Sequence, residues 1–238
     1  MTPFSADDAS PPMPRLVVPA YFHPGVRPCD WALLAERAAQ VRLVILNLAS
    51  GPGERPEIPF VEVVERLRAA GVAVAGYVDT NYGKRQSYAP LSEVGRYRDW
   101  YQLAAVCFDR AAATAAQVSY YAALAKRART MGMQFVMFNH GTHPVRAYAD
   151  HADLLGTFEG TWRSYLDIAI PPWTRSISCD KFYHVVHSVP RQHVRDAYLL
   201  AGHRRASSAY VTERTGSNPY DRLPADWPAE RESSWRLP

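Results

Sequence analysis

Two carboxylates stand where apolar runs end. Asp109 closes "LAAVCFD" (103–109), and Glu159 lies near the close of "LLGTFEG" (154–160). Between them lies one more such run, so the two acids are expected two strands apart. At about 4.8 Å per strand their backbones come near 10 Å, and inward-leaning side chains bring the carboxyl groups to roughly 5–9 Å. That range covers both modes of glycoside hydrolysis, in which one acid attacks or activates water and the other protonates the leaving oxygen. Arg110 follows Asp109 directly. A cation beside a carboxylate favours its ionised form and lowers its pKa. On that ground Asp109 is assigned as nucleophile and Glu159 as acid/base.

Other apolar runs also end in hydrogen-bonding groups. These are Tyr21 and His23, then Asn47, Tyr77 and Asp79, Asn139 and His140, His187, and Thr212. A polar residue closing one strand is often only the first loop residue. Eight such ends together suggest a shared mouth, so these residues and Arg110 are read as substrate-contacting. Aromatics near the same ends, among them Tyr82, Trp162 and Trp173, are of the type that stacks on sugar rings.

The motifs of cofactor chemistry are missing. "HGTH" (140–143) and "HVVH" (184–187) have i, i+3 spacing but sit on strand or loop, where such residues point to opposite faces, so no metal site is expected. The first run is followed by "HPGVRP" rather than a dinucleotide fingerprint. "SGPGERP" (50–56) lacks the Lys-Ser/Thr of a phosphate loop. No G-x-S-x-G elbow occurs. Three cysteines without CxxC spacing give neither a disulfide framework nor a zinc site. No cofactor is called for.

The elements that must hold these residues alternate. Apolar runs at 16–22, 41–47, 72–80, 103–109, 134–140, 154–160, 181–189 and 207–213 read as strands. Helical spacing occurs at 31–40, with Asp30 as its N-cap, and at 60–71, 91–102, 114–132, 144–150 and 191–202; residues 161–180 read as irregular. Strands alternating with helices give parallel βαβ units. Eight units in about 200 residues fit an α/β fold, a single (β/α)8 TIM-like barrel at residues 16–238. Residues 1–15, with four prolines among the first 14, read as a flexible N-terminal tail.

Composition narrows the partners. The net charge of +4 is spread along the chain, which argues against nucleic acid. No apolar run reaches about 18 residues, so no membrane partner is expected. The N-terminus has no signal-peptide pattern, and the chain as given reads as cytoplasmic, with secretion left open.

Motifs distributed along the chain carry a resemblance. "VPAYFHPG" (18–25), "VILNLASGPG" (44–53), "GVAVAGYVDTNYG" (71–83), "YRDWYQLAAVCFDR" (97–110), "FNHGTHP" (138–144), "ADLLGTFEG" (152–160), "KFYHVVHSV" (181–189) and "YVTERTGSNPYDRLP" (210–224) together resemble the spherulin-4 family. The resemblance covers about residues 16 to 228. It implies a (β/α)8 glycoside hydrolase of the endo-α-1,4-N-acetylgalactosaminidase type, acting on a galactosamine-containing polysaccharide or oligosaccharide. It also implies an acidic pair after strand four and a Glu after strand six. Asp109 matches the first acid of the pair and Glu159 the strand-six Glu. The pair's second acid, Glu in the family's "FDE", is Arg110 here. That departure makes a catalytically impaired carbohydrate-binding barrel the alternative reading.

Overall fold

The computed structural model describes residues 13–225. The expected tail lies almost wholly outside them. Eight parallel strands form a closed barrel in sequence order: β1 (Arg15–Ala20), β2 (Val41–Leu46), β3 (Ala73–Asp79), β4 (Ala105–Asp109), β5 (Phe135–Asn139), β6 (Leu154–Thr161), β7 (Phe182–His187) and β8 (Ser208–Val211). β8 pairs back onto β1 through Arg15 and Leu16. The (β/α)8 expectation is therefore met. Register runs level across the first five strands through Pro19, Ile45, Ala75, Ala105 and Phe135, and brings their C-terminal ends to one mouth.

The helices are α1 (Pro28–Glu36), α2 (Ile58–Ala69), α3 (Tyr88–Tyr101), α4 (Val118–Thr130), α5 (Trp162–Leu166) and α6 (Val194–His203). The β5–β6 connection holds only a 3-10 turn, Arg146–Asp150, where the sequence suggests a short helix. The irregular reading of 161–180 is corrected at α5, which Thr161 caps by accepting the Ser164 N–H. Asp30 is not an N-cap. Pro28 opens α1, and Asp30 instead accepts the Leu223 N–H at 3.3 Å, tying the segment after β8 to α1.

Strand residues alternate between the barrel interior and the layer facing the helices. Gly76 lies on the helix-facing side, where a Cβ would come within 2.3 Å of Tyr97. The missing side chain lets α3 sit close, and the Tyr97 hydroxyl donates to the Leu46 carbonyl at 3.0 Å. Apolar side chains fill both layers, with Val17, Val44, Val106, Val136, Leu155 and Val186 among the fully buried ones. This explains why the strands read as continuous apolar runs.

Candidate active site

Alternation along β4 puts Cys107 and Asp109 on one face and Val106 and Phe108 on the other. Phe108 packs against Phe138, ring centroids 6.1 Å apart, on the helix-facing side. Asp109 therefore faces inward. Tyr77 pairs in register with Cys107 and Asp79 with Asp109, while Cys107 pairs with Met137, so Tyr77, Asp79 and Asn139 share the inward face.

Glu159 reaches the interior by an irregularity. Asn139 pairs with Gly156, so simple alternation would turn Phe158 inward and Glu159 outward. The register with β7 steps from Gly156–Tyr183 to Phe158–His184, two residues on β6 against one on β7. Such a bulge re-aims the residues beyond it. Thr157 and Phe158 both turn to the helix layer: the Thr157 hydroxyl lies 3.1 Å from His184 Nε2, and Phe158 packs on Tyr165 at 4.7 Å. Glu159 is left facing in. Gly156 is required at the turn, since a Cβ there would lie 2.3 Å from Asn139 Oδ1 and 2.7 Å from the Tyr183 ring.

One amide joins the two acids. Asn139 Nδ2 donates to Asp109 Oδ1 at 2.7 Å and to Glu159 Oε2 at 2.6 Å. The two oxygens can be no farther apart than the sum of those bonds. The Gly141 N–H donates to Asn139 Oδ1 at 3.3 Å, which fixes the amide with its donors toward the acids. Asp109 also accepts from the Tyr77 hydroxyl and the Arg110 backbone N–H. The Tyr220 hydroxyl donates to Glu159 Oε1 at 2.7 Å. Tyr21 stands between the two phenols, edge-to-face with Tyr77 and with Tyr220, both at 5.6 Å.

Burial removes water from Asp109, and the charge of Glu159 adds to that effect. Together they push the Asp109 carboxyl up to about 6, against the pull of its hydrogen-bond donors. Burial also drives the Tyr77 and Tyr220 phenols well above their ordinary value, helped by Asp109 and Asp79 at Tyr77 and by Glu159 and Asp109 at Tyr220, so both remain donors. Burial lowers His187, while the charge of Glu159 works the other way.

Arg110 does not play the part its sequence position suggests. Its backbone is left-handed (φ 49°), and its guanidinium turns away from Asp109. Nη1 donates to Asp79 Oδ2 at 3.1 Å and Nη2 to Asn81 Oδ1 at 2.8 Å, and the group lies 5.2 Å over the Tyr82 ring. The turn is held by Thr80, whose N–H donates to the Asp109 carbonyl at 3.0 Å, and by Tyr82, whose N–H donates to the Arg110 carbonyl at 2.7 Å. The expectation that Arg110 lowers the pKa of Asp109 is corrected. The shift is upward, and with it goes the reason for making Asp109 the nucleophile.

The candidate contacts divide. Tyr21, Tyr77, Asn139 and His187 gather around the two acids, and Asp79 with Arg110 forms the adjoining rim. Four others do not join them. His140 is buried on the helix-facing side, Nδ1 on the Ala112 carbonyl at 2.9 Å and its ring 4.6 Å from Tyr148. His23 turns to α2, with Nε2 3.4 Å from Glu57 and its ring against Phe60. Asn47 accepts the Gly51 N–H and holds the loop after β2. Thr212 is fully buried and accepts the Arg214 N–H. Tyr220 has no place among the sequence candidates. It lies 61 residues from Glu159 in a turn after the last strand, and no spacing rule links the two. Among the described residues no group of three or more His, Cys, Asp or Glu is placed to hold a metal ion. No helix there is long and apolar enough to cross a membrane.

The model of spherulation-specific family 4 matches residues 15–232. The chain belongs to that family. Spherulin-4 of Physarum polycephalum is 30% identical over 148 residues, 61% of this chain and 44% of that protein. The chain thus matches under half the length of this family relative. The crystal structure of Aspergillus clavatus Sph3 in complex with GalNAc superposes with a TM-score of 0.79 at 22% identity, covering 91% of this chain and 95% of that one. At that identity the likeness speaks for the barrel alone.

Proposed function

We propose that this family member is a retaining glycoside hydrolase cleaving α-1,4 linkages in a polysaccharide or oligosaccharide that contains N-acetylgalactosamine or galactosamine. The observation that carries this reading is the pair of inward carboxylates held by one Asn139 amide. Acids about 5 Å apart leave no room for an intervening water and suit attack by a carboxylate. The sugar bound to the Aspergillus relative supports the choice of amino sugar.

The roles follow from burial and charge. Asp109, raised to about 6, is the member that carries a proton and serves as acid. It gives that proton to the glycosidic oxygen as the Glu159 carboxylate attacks the anomeric carbon. The bond to the leaving sugar breaks and a glycosyl ester forms on Glu159. Asp109, now ionised, takes a proton from water as that water attacks the same carbon and releases Glu159. Asn139 holds both oxygens in register throughout, and Tyr21 offers its ring as one wall.

Incubation with defined α-1,4-linked N-acetylgalactosamine and galactosamine oligomers tests the reading. Cleavage with the α-anomer released first, and kcat/KM falling above about pH 6 as Asp109 loses its proton, is the expected result. No cleavage of any such oligomer, or the opposite anomer, refutes it. Binding without cleavage selects the second reading, a sugar-binding barrel. That reading is favoured by Arg110 standing where the family resemblance places a second acid.

A further inference from the structure

The connection after β3 is strained in a way that packing does not explain. Seven non-glycine residues among the described ones have a left-handed backbone. Three of them, Asn81 (φ 44°), Tyr82 (φ 56°) and Arg110 (φ 49°), meet at this one rim of the mouth. A bulky residue such as Tyr82 is a steric outlier there. Several ties hold the strain in place. Thr80 is fully buried, and its hydroxyl donates to the Asp109 and Arg110 carbonyls at 2.8 and 3.0 Å. The Tyr121 hydroxyl meets Thr80 Oγ1 at 2.6 Å and accepts the Ala112 N–H at 3.0 Å. The Asn81 N–H donates to Asp79 Oδ1 at 2.7 Å. Gly83 lies so close to the turn before α4 that a Cβ there would come within 2.7 Å of Gln117 Oε1.

These ties present an exposed ring. Tyr82 is 48% exposed, although its backbone N–H is pinned to the Arg110 carbonyl, one residue past Asp109. The Arg110 guanidinium props the ring from one side. Backbone strain of this kind persists where it serves a ligand, because a fold gains nothing from it. The other aromatics that the sequence offers for stacking are placed differently. Trp173 packs on Phe182 at the start of β7, the far end of the barrel from the acids. Trp162 is already stacked on His193, with centroids 5.8 Å apart and planes at 18°, and it packs on Tyr165 as well.

We propose that Tyr82 is the platform of an outer sugar subsite: its ring stacks on the face of a pyranose unit that lies beyond the unit between the two acids, on the β3–β4 side of the mouth. A pyranose carries C–H groups on its face and hydroxyls on its edge, which suits the flat apolar side of a tyrosine. A ring already held in place has little freedom to lose when the sugar arrives, so the contact is preorganised. The subsite rests on the amino-sugar chain read above as substrate. It does not depend on turnover or on which acid holds a proton.

Calorimetric titration with N-acetylgalactosamine and with its α-1,4-thio-linked oligomers of increasing length is the test. Sulfur in the linkage resists hydrolysis, so binding is read without cleavage. In the wild type, affinity should rise by about tenfold at the length that reaches Tyr82. Tyr82→Phe keeps the ring and should keep that rise. Tyr82→Ala should lose it and still bind the shorter ligands as the wild type does. Tyr88→Ala removes a tyrosine of the same connection that is 75% exposed, and should change nothing. A rise that survives in Tyr82→Ala overturns the platform and leaves the reading of the acid pair intact. So does a wild type that binds all lengths equally, or a Tyr82→Ala protein weakened by the same factor at every length. A wild type that binds no oligomer of any length overturns the platform and the substrate reading together.

Discussion

Asp109 and Arg110, like Asn139 and His140, are neighbours in the chain that occupy different chemical worlds. On the inner face of the strand ends, Asp109, Asn139 and Glu159 meet at the mouth. On the outer face, His140, Thr157 and His184 are sealed between strands and helices. Both faces are polar, yet their polar groups are arranged to opposite ends. His184 has Tyr165 on Nδ1 at 2.8 Å and Thr157 on Nε2 at 3.1 Å, a closed neutral set. The inner face instead packs two acids onto one amide, and burial together with the charge of Glu159 pushes the Asp109 carboxyl up to about 6. The outer face is built for stability, and the inner face keeps a group that stability alone would remove.

The acids give the sharpest way to break that contrast. Under the proposed mechanism each acid moves a proton or attacks carbon, so Asp109→Asn and Glu159→Gln should each lower kcat/KM by at least about 10³-fold. Asp109→Asn should at the same time stabilise the fold. The Asp109 carboxyl is raised from 3.8 to about 6 in the folded chain, so the folded state binds the extra proton between those values. Stability therefore falls as pH rises through about 4 to 6 and stays lower above. The Asn variant should be up to about 3 kcal/mol more stable at pH 7–8, with the gain gone below pH 4. Chemical denaturation at both pH values measures it. An Asn variant less stable at pH 8 than the wild type would mean that Asp109 sits comfortably in its site.

Gly156→Ala strikes the hinge between the faces. The added Cβ would lie 2.3 Å from Asn139 Oδ1, so the amide must move off one acid or both. A loss of about 10²-fold in kcat/KM is expected, with about 1–3 kcal/mol of stability. Wild-type activity in this variant would show that the Asn139 bridge is dispensable.

The outer face carries the opposite pH dependence. Burial lowers His140 to about 4 and His184 to about 3. The unfolded chain takes up these protons near pH 6.5, whereas the folded chain resists, so stability falls as pH drops from about 6.5 toward 4. His140→Met should flatten that fall by up to about 3 kcal/mol. It should cost about 1 kcal/mol at pH 7, because the Ala112 carbonyl loses its partner. Activity at pH 7 should hold. Thermal unfolding across pH 4–7 separates the two effects, and an unchanged slope would remove His140 from the account.

The barrel was legible because its signal is periodic. Buried strands alternate with helices, and each apolar run ends at the mouth. Asp109, Asn139 and Tyr77 were legible for the same reason. What escaped depends on single-residue geometry. The bulge at Thr157 reverses which side chain faces in, so the inward aim of Glu159 does not follow from counting along β6. His140 follows Asn139 by one residue, and alternation alone sends it to the other face. Tyr220 arrives by a tertiary path, fastened by Arg214, Asn218 and Asp221 rather than by any local pattern.

Arg110 makes the finest test of how separate the faces are. Its ion pair with Asp79 is exposed on the Arg110 side and half-screened, so Arg110→Ala should cost only about 0.5–1 kcal/mol. The backbone offers a second handle, because φ 49° is strained for any residue with a Cβ. Arg110→Gly loses the same ion pair but relieves that strain, and should come out close to neutral in stability. In both variants kcat/KM should stay within about threefold of wild type, with the alkaline limb still near pH 6. Burial and Glu159, not the guanidinium, set that limb. If the limb instead rises by about one unit in both variants, Arg110 reaches Asp109 after all. The boundary between the inner pair and its rim would then have to be redrawn.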